Sequence, residues 1–178
     1  DLAYVEFADE DPTPAVIDEP NVVMVRTFSK AFGLAGLRVG YAIAPEPVAD
    51  WLRTVGGPFP VSVPSLAAAG HALENVASRA PFIERVRRQR DALAAEFGAL
   101  GLEALGSQGN FVLVRVPDAE GLHRGLVERG VLVRRFSGDG VLASMLRITV
   151  PGDEAEYDEL VRALRGVAGD ASEGDGNG

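Results

Sequence analysis

Among the 17 basic residues of this 178-residue chain, Lys30 is the single lysine and all the others are arginine. A lone lysine in that background stands where a primary amine is needed, or arises by chance; composition alone leaves both open. Its surroundings point to the first. Ser29 precedes it, Thr27 lies just before, and Arg38 follows eight positions on. An unhindered amine condenses with an aldehyde. Hydroxyls and a planar guanidinium fork suit a phosphate dianion. Gly33 and Gly36 lie between the two cations and let the backbone double back, so that Arg38 can approach Lys30.

The elements around this segment read as α/β. Val22 to Val25 form a continuous apolar run, which predicts a strand buried on both faces. Residues 39–44 predict a second such strand after a polar, glycine-rich crossing. In α/β sheets ligands collect beyond the carboxyl ends of strands, and Lys30 stands at such an end. Residues 1–7 read as the end of a strand and its exit. Residues 8–20 carry Asp9, Glu10, Asp11, Asp18 and Glu19 with prolines, which is loop chemistry. A metal site is conceivable there, but the spacing does not match a calcium loop, and a solvated loop is the better reading.

Helices are predicted at 47–54 and 65–77, then from Pro81, with Phe82, Val86, Leu93, Phe97 and Leu100 on one face. The basic run Arg85, Arg87, Arg88 and Arg90 reads as a solvated face in so acidic a chain. A smaller α/β unit follows. It has strands at 109–116, 131–136 and 145–150, a helix at 119–129 ended by Gly130, and a last helix carrying Tyr157, Leu160, Val161 and Leu164. From Gly169 onward composition predicts a disordered tail. His71 and His123 fall on helical stretches and read as structural.

Composition bounds the function. A net charge of -9 and a pI near 4.7 argue against nucleic-acid binding. No apolar run is long enough to span a bilayer, no signal peptide is evident, and no metal site is predicted. Cysteine is absent, which removes disulfides and thiolate metal sites. A cytoplasmic enzyme fits this composition. The chain starts at Asp1 rather than methionine and reads as beginning partway through a larger protein.

A cofactor with an aldehyde, a phosphate and an electron-withdrawing ring nitrogen is pyridoxal 5'-phosphate (PLP). It asks of a protein an amine, cationic and hydroxyl phosphate ligands, and an acid for the ring nitrogen. Lys30, Ser29, Thr27 and Arg38 supply the first two. The stretch VRTFSKAFGLAGLRVGYAIA resembles the PLP-lysine segment of histidinol-phosphate aminotransferases, in the fold-type I PLP superfamily. GNFVLVRV, GVLVRRF and LRITV are similar, in order and spacing, to that family's small domain. The resemblance runs from Asp1 to about Ala168 and implies a C-terminal half.

The resemblance implies roles. Lys30 would hold the cofactor and shuttle a proton, and Ser29 and Arg38 would bind its phosphate. Asp1 would pair with the ring nitrogen, and Tyr4 would hydrogen-bond the ring oxygen. Arg147 would grip the anionic end of the substrate, with Arg134 as a second phosphate arginine and Arg135 as its rival. Asn110 falls in a similar segment, as a substrate-binding candidate. Leu2 departs from the family's usual glutamate, outside the core chemistry. The implied architecture is part of a large, mainly parallel PLP-binding domain over 1–80, a small C-terminal α/β domain over 81–168, and a tail over 169–178. The implied substrates are a phosphorylated amino alcohol or amino acid and a 2-oxo acid, in a homodimer without nucleic-acid or membrane partners. The implied function is transamination between L-histidinol phosphate and 2-oxoglutarate. Three alternatives stay open: a related PLP enzyme such as a threonine-phosphate decarboxylase or another aminotransferase; a truncated product that is inactive or only an interaction partner; and nucleotide binding by the glycines, although Gly33 and Gly36 fit neither a dinucleotide fingerprint nor a P-loop.

Overall fold

Short segments and sharp turns dominate the first part of the chain, and longer amphipathic elements the second. The computed structural model describes residues 1–174, with side chains as far as Asp170. The chain is of the α/β class and divides into two compact units, Asp1–Ile83 and the residues from Glu84 onward.

In the first unit, strand β1 (Met24–Thr27) pairs antiparallel with β2 (Gly40–Ile43), Met24 opposite Ile43 and Thr27 opposite Gly40. The mainly parallel sheet expected here is not formed by these strands; every strand pair among the described residues is antiparallel. A parallel return needs a long crossover, normally a helix. The connection instead turns through a short 3-10 helix, Ala35–Leu37, and runs straight back. Gly40 is needed where it stands, since a Cβ there would meet the Arg26 carbonyl at 2.8 Å. The strand lies two residues later than expected, and it is not buried on both faces. Met24 is buried while Val25 and Tyr41 are exposed, because β2 is its one strand neighbour among the described residues.

Residues 1–7 also differ from expectation. They form a turn and a 3-10 helix, Val5–Phe7, rather than a strand end. The segment still lies along β1, because Leu2 N donates to Val25 O at 2.8 Å. The acidic loop holds one short helix, α1 (Thr13–Val16). Helices α2 (Glu46–Val55) and α3 (Val63–Glu74) follow, α3 capped by the Ser62 hydroxyl, which accepts from Ser65 N at 3.2 Å. Ala69 and Ala72 of α3 join Phe28, Phe32 and Val39 in a small core under the lysine segment.

Helix α4 (Ala80–Ala99) contains the break between units. Val86, Leu93 and Phe97 are buried as its periodicity predicts. The solvated basic face holds only in part. Arg88 is exposed, but Arg90 is buried, and so is Gln89 between the apolar turns. Gln89 explains why a polar side chain is there. Its amide accepts from Gly152 N at 3.0 Å and donates to Asp153 O at 3.1 Å, fixing the start of the last helix.

The second unit holds a four-stranded sheet in the order β3 (Glu103–Leu105), β4 (Phe111–Arg115), β6 (Met145–Thr149), β5 (Arg134–Arg135). Val112 and Val114 of β4 and Leu146 and Ile148 of β6 alternate into the core. Helix α5 (Ala119–Glu128) is capped by Asp118 and ends before Gly130, whose φ of 82° suits the left-handed stop. Strand β3 was not expected, and of the predicted strand 131–136 only Arg134–Arg135 pairs. Helix α6 runs Glu154–Gly174, past the point where composition places a disordered tail; residues 175–178 of that tail lie outside the described residues.

Candidate active site: the lysine loop and the arginine ladder

The lysine loop is anchored from one side. Phe28, Ala31 and Phe32 are buried, with the Phe28 and Phe32 rings 4.9 Å apart, while Ser29 and Lys30 between them stay half-buried. Burial of the aromatics therefore dictates that the two polar side chains face away from the core. The backbone is closed by Phe28 N to Val39 O at 3.1 Å, Leu34 N to Phe28 O at 2.9 Å and Gly33 N to Lys30 O at 3.0 Å. The Thr27 hydroxyl accepts from Ser29 N at 3.1 Å and directs its own proton to Val39 O at a long 3.4 Å. To bind a phosphate it would turn that one proton away from Val39, a small loss at such a distance.

Tyr4 is brought to Lys30: the ammonium lies 5.3 Å from the ring centroid, within cation–π range. The Leu2 to Val25 hydrogen bond makes this approach possible by laying residues 1–4 beside β1. Asp1 is exposed, with one carboxylate oxygen accepting from Ala3 N at 2.9 Å. Arg38 sits at a φ of 56°, a left-handed conformation costly for a side chain that carries a Cβ. Its guanidinium is exposed and donates once, to Ala35 O at 2.9 Å. Neither Lys30 nor Arg38 enters an ion pair among the described residues, although the chain carries 26 acidic residues. Two cations left without carboxylates on one loop leave capacity for an anion. An amine, a nearby phenol, two hydroxyls and a guanidinium with unspent donors fit the demands of PLP.

One cation of this region was missed from sequence. Arg26 on β1 donates to Thr13 Oγ1 at 2.7 Å and to Asp11 Oδ2. Burial works against its charge, but its hydrogen bonds to Asp11 and Tyr41 outweigh that and raise its pKa. The Thr13 hydroxyl, with Arg26 beside it, holds the Asp11 carboxyl down to about 2. Burial pushes Glu6 up, with Arg26 opposing. The acidic loop thus has a half-buried cation as partner, and among the described residues no group of His, Cys, Asp and Glu could hold a metal ion. A charged residue inside an apolar strand was the available signal.

In the second unit the arginines form a ladder. Arg134 and Arg147 stand directly opposite each other in the β5–β6 register and so share a face. Like charges in that position repel unless an anion joins them. Arg147 stacks over the Phe111 ring at 4.5 Å, and Arg134 lies 5.8 Å from the Phe136 ring. Arg135, the rival, falls on the other face by strand alternation and pairs with Glu120 at 3.5 Å. Asn110 accepts Val150 N at its backbone oxygen, at 2.8 Å. Its side-chain oxygen is buried and makes no hydrogen bond among the described residues. Phe111, the aromatic floor under Arg147, was also missed; an aromatic on the strand facing an arginine could have marked it.

Known proteins resemble this chain in sequence and in fold. The family Aminotransferase class I and II matches residues 1–164. Histidinol-phosphate aminotransferase 1 of Psychrobacter arcticus is 41% identical over 181 residues, covering 96% of this chain and 46% of its own length. Histidinol-phosphate aminotransferase 1 of Archaeoglobus fulgidus is 41% identical over 169 residues, covering 95% of this chain and 51% of its own length. Among solved structures, histidinol-phosphate aminotransferase from Sinorhizobium meliloti in complex with pyridoxal-5'-phosphate superposes with a TM-score of 0.81 at 32% identity, over 95% of this chain and 48% of that one. L-threonine-O-3-phosphate decarboxylase from Porphyromonas gingivalis gives 0.75 at 29%, over 92% and 52%. The chain thus spans about half the length of the relatives it matches. By sequence match across nearly its whole length, and by the fold that carries Lys30, this chain belongs to the aminotransferase class I and II family.

Proposed function

We propose that this chain is the lysine-bearing half of a PLP-dependent aminotransferase that moves an amino group between L-histidinol phosphate and 2-oxoglutarate. The observation that carries this reading is the loop itself: the only lysine of the sequence, beside the Tyr4 ring, on a segment with Arg38, and neither cation in an ion pair among the described residues. Bound PLP supplies the aldehyde that exchanges for an amino group and a ring that withdraws electrons from the substrate carbon. Lys30 Nζ would hold the cofactor and would carry the proton taken from the substrate carbon. Ser29, Thr27 and Arg38 would bind the phosphate, the Tyr4 hydroxyl would donate to the ring oxygen, and the Asp1 carboxylate would keep the ring nitrogen protonated. Arg134 and Arg147 bind the anionic end of the substrate, and Asn110 contributes a buried acceptor to its recognition. Residues 1–80 serve as part of the PLP-binding domain and 81–168 as the small domain, in a cytoplasmic homodimer. Among the described residues no helix is long and apolar enough to cross a membrane.

A second reading, decarboxylation of a phosphorylated amino acid, is favoured by the likeness to the P. gingivalis decarboxylase. Both substrates present a phosphate, so the arginine ladder serves either. The product separates them: glutamate formed from histidinol phosphate and 2-oxoglutarate supports the first reading, and carbon dioxide released from O-phosphothreonine supports the second. In the active enzyme that contains this chain, Arg147→Ala removes charge-assisted bonds worth roughly 1.5–3 kcal/mol each, so kcat/KM falls at least about tenfold. PLP binding persists in that variant. Weakened PLP binding with unchanged substrate kinetics at saturating PLP would reassign Arg147.

A further inference from the structure

We propose that Thr149 is a further specificity-determining residue of the arginine ladder: its hydroxyl donates to a phosphate held by Arg134 and Arg147 and so favours phosphate over carboxylate there. This role rests on the reading of those two arginines as ligands of the substrate's anionic end. Arg147 and Thr149 are two residues apart on β6, so their side chains rise from the same face of the sheet. Ile148 between them is buried in the core, while Thr149 is exposed.

The cross-strand register brings the two side chains closer than that spacing alone. Arg147 stands opposite Leu113 on β4, and Thr149 stands opposite Phe111. Yet the Arg147 guanidinium lies 4.5 Å from the Phe111 ring centroid, one step along the ladder from its own partner. The contact therefore runs along the diagonal, over the stretch of face that Thr149 borders. Val150 N donates to Asn110 O at 2.8 Å, which makes Asn110 and Val150 a hydrogen-bonded pair. The next pair, Phe111 and Thr149, is then of the other kind, in which facing side chains lie closer together. Thr149 thus stands beside the ring that carries the guanidinium, and its hydroxyl makes no hydrogen bond among the described residues.

The chemistry of the two anions differs at this point. A phosphomonoester dianion presents three terminal oxygens in a pyramid, and a carboxylate presents two in a plane. A flat guanidinium fork matches two oxygens of either. A third donor, off that plane, serves the phosphate alone. A hydroxyl supplies it without adding charge to a face where Arg134 and Arg147 already stand opposite each other.

The test is to titrate the full chain with methyl phosphate and with acetate at about pH 8, where a phosphomonoester is a dianion, and to follow the amide resonances of β4 and β6. It needs no cofactor, so it stays separate from any failure of PLP to attach to Lys30. Thr149→Val keeps the β-branched shape of an exposed strand residue and removes only the donor. It should weaken methyl phosphate binding roughly threefold to tenfold, as expected for a hydrogen bond to a charged acceptor, and acetate binding by less than about twofold. Thr149→Ser, which restores the hydroxyl, should recover most of the loss. Arg147→Ala should weaken both probes. Wild-type methyl phosphate affinity in Thr149→Val, or an equal loss for both probes, overturns the role of Thr149 and leaves the arginine reading standing. Methyl phosphate binding unchanged in Arg147→Ala, or absent from β4 and β6 in the wild type, overturns the arginine reading and the role of Thr149 with it.

Discussion

The two units bury their apolar residues very differently. Of the largest fully buried side chains, Phe97, Leu93, Leu126, Leu146, Ile148 and Leu164 lie in the second unit, and Phe7 is the one from the first. The exposed large apolar residues show the reverse: α2 buries none of its residues, Trp51 is 78% exposed, and Phe59 is 96% exposed. The second unit satisfies its own periodic pattern with a sheet and two long helices. The first spends its few buried aromatics on fixing one loop. Chemistry follows that division: the first unit holds the amine on a loop set by Phe28 and Phe32, and the second holds paired guanidinium groups on a rigid ladder.

The contrast can be broken by mutation. The largest effect is expected at Phe97, fully enclosed in the second unit. Phe97→Ala should cost about 3–5 kcal/mol by urea unfolding of that unit, since the cavity adds to the lost transfer energy. A loss below about 1 kcal/mol would mean its core is looser than the burial indicates.

A smaller effect is expected from acid. The Asp11 carboxyl is depressed to about 2, so its contribution is fully present above the unfolded value of about 3.9 and is lost as pH falls through about 2. Solvent screens this exposed carboxylate, which limits the contribution to below about 1 kcal/mol. Asp11→Asn should flatten the first unit's stability over that window and leave the second unit's unchanged; equal pH dependence in both proteins would deny Arg26 its partner.

The smallest effect is expected at the lone tryptophan. Trp51→Ser should alter stability by no more than about 0.5 kcal/mol, and the wild-type emission should be that of a water-exposed indole. A cost above about 1 kcal/mol would show α2 packed in solution and erase the contrast.

Legibility in the sequence followed the same division. Strands β4 and β6 and the helices of the second unit were readable because alternation and helical period are set by a face that is actually buried. The first unit misled where its pattern is not satisfied locally: an apolar run at 22–25 promised a doubly buried strand, but β1 begins at Met24 and extends through Arg26 and Thr27. Lys30 and Arg38 could be singled out as candidates from residue type and spacing. Tyr4 was legible only through family resemblance, because its approach to Lys30 depends on one backbone hydrogen bond, Leu2 to Val25, that no local pattern encodes. Arg26 escaped notice because its partners, Asp11, Thr13 and Tyr41, are gathered from three separate segments.

The central claim is that Lys30 holds the cofactor, and its most direct test is chemical fixation. PLP added to the protein and reduced with borohydride should become covalently attached to the peptide that contains Lys30, and Lys30→Arg, which keeps the charge but loses the usable amine, should abolish attachment. Attachment at an amine other than Lys30, or undiminished attachment in the variant, would contradict the account.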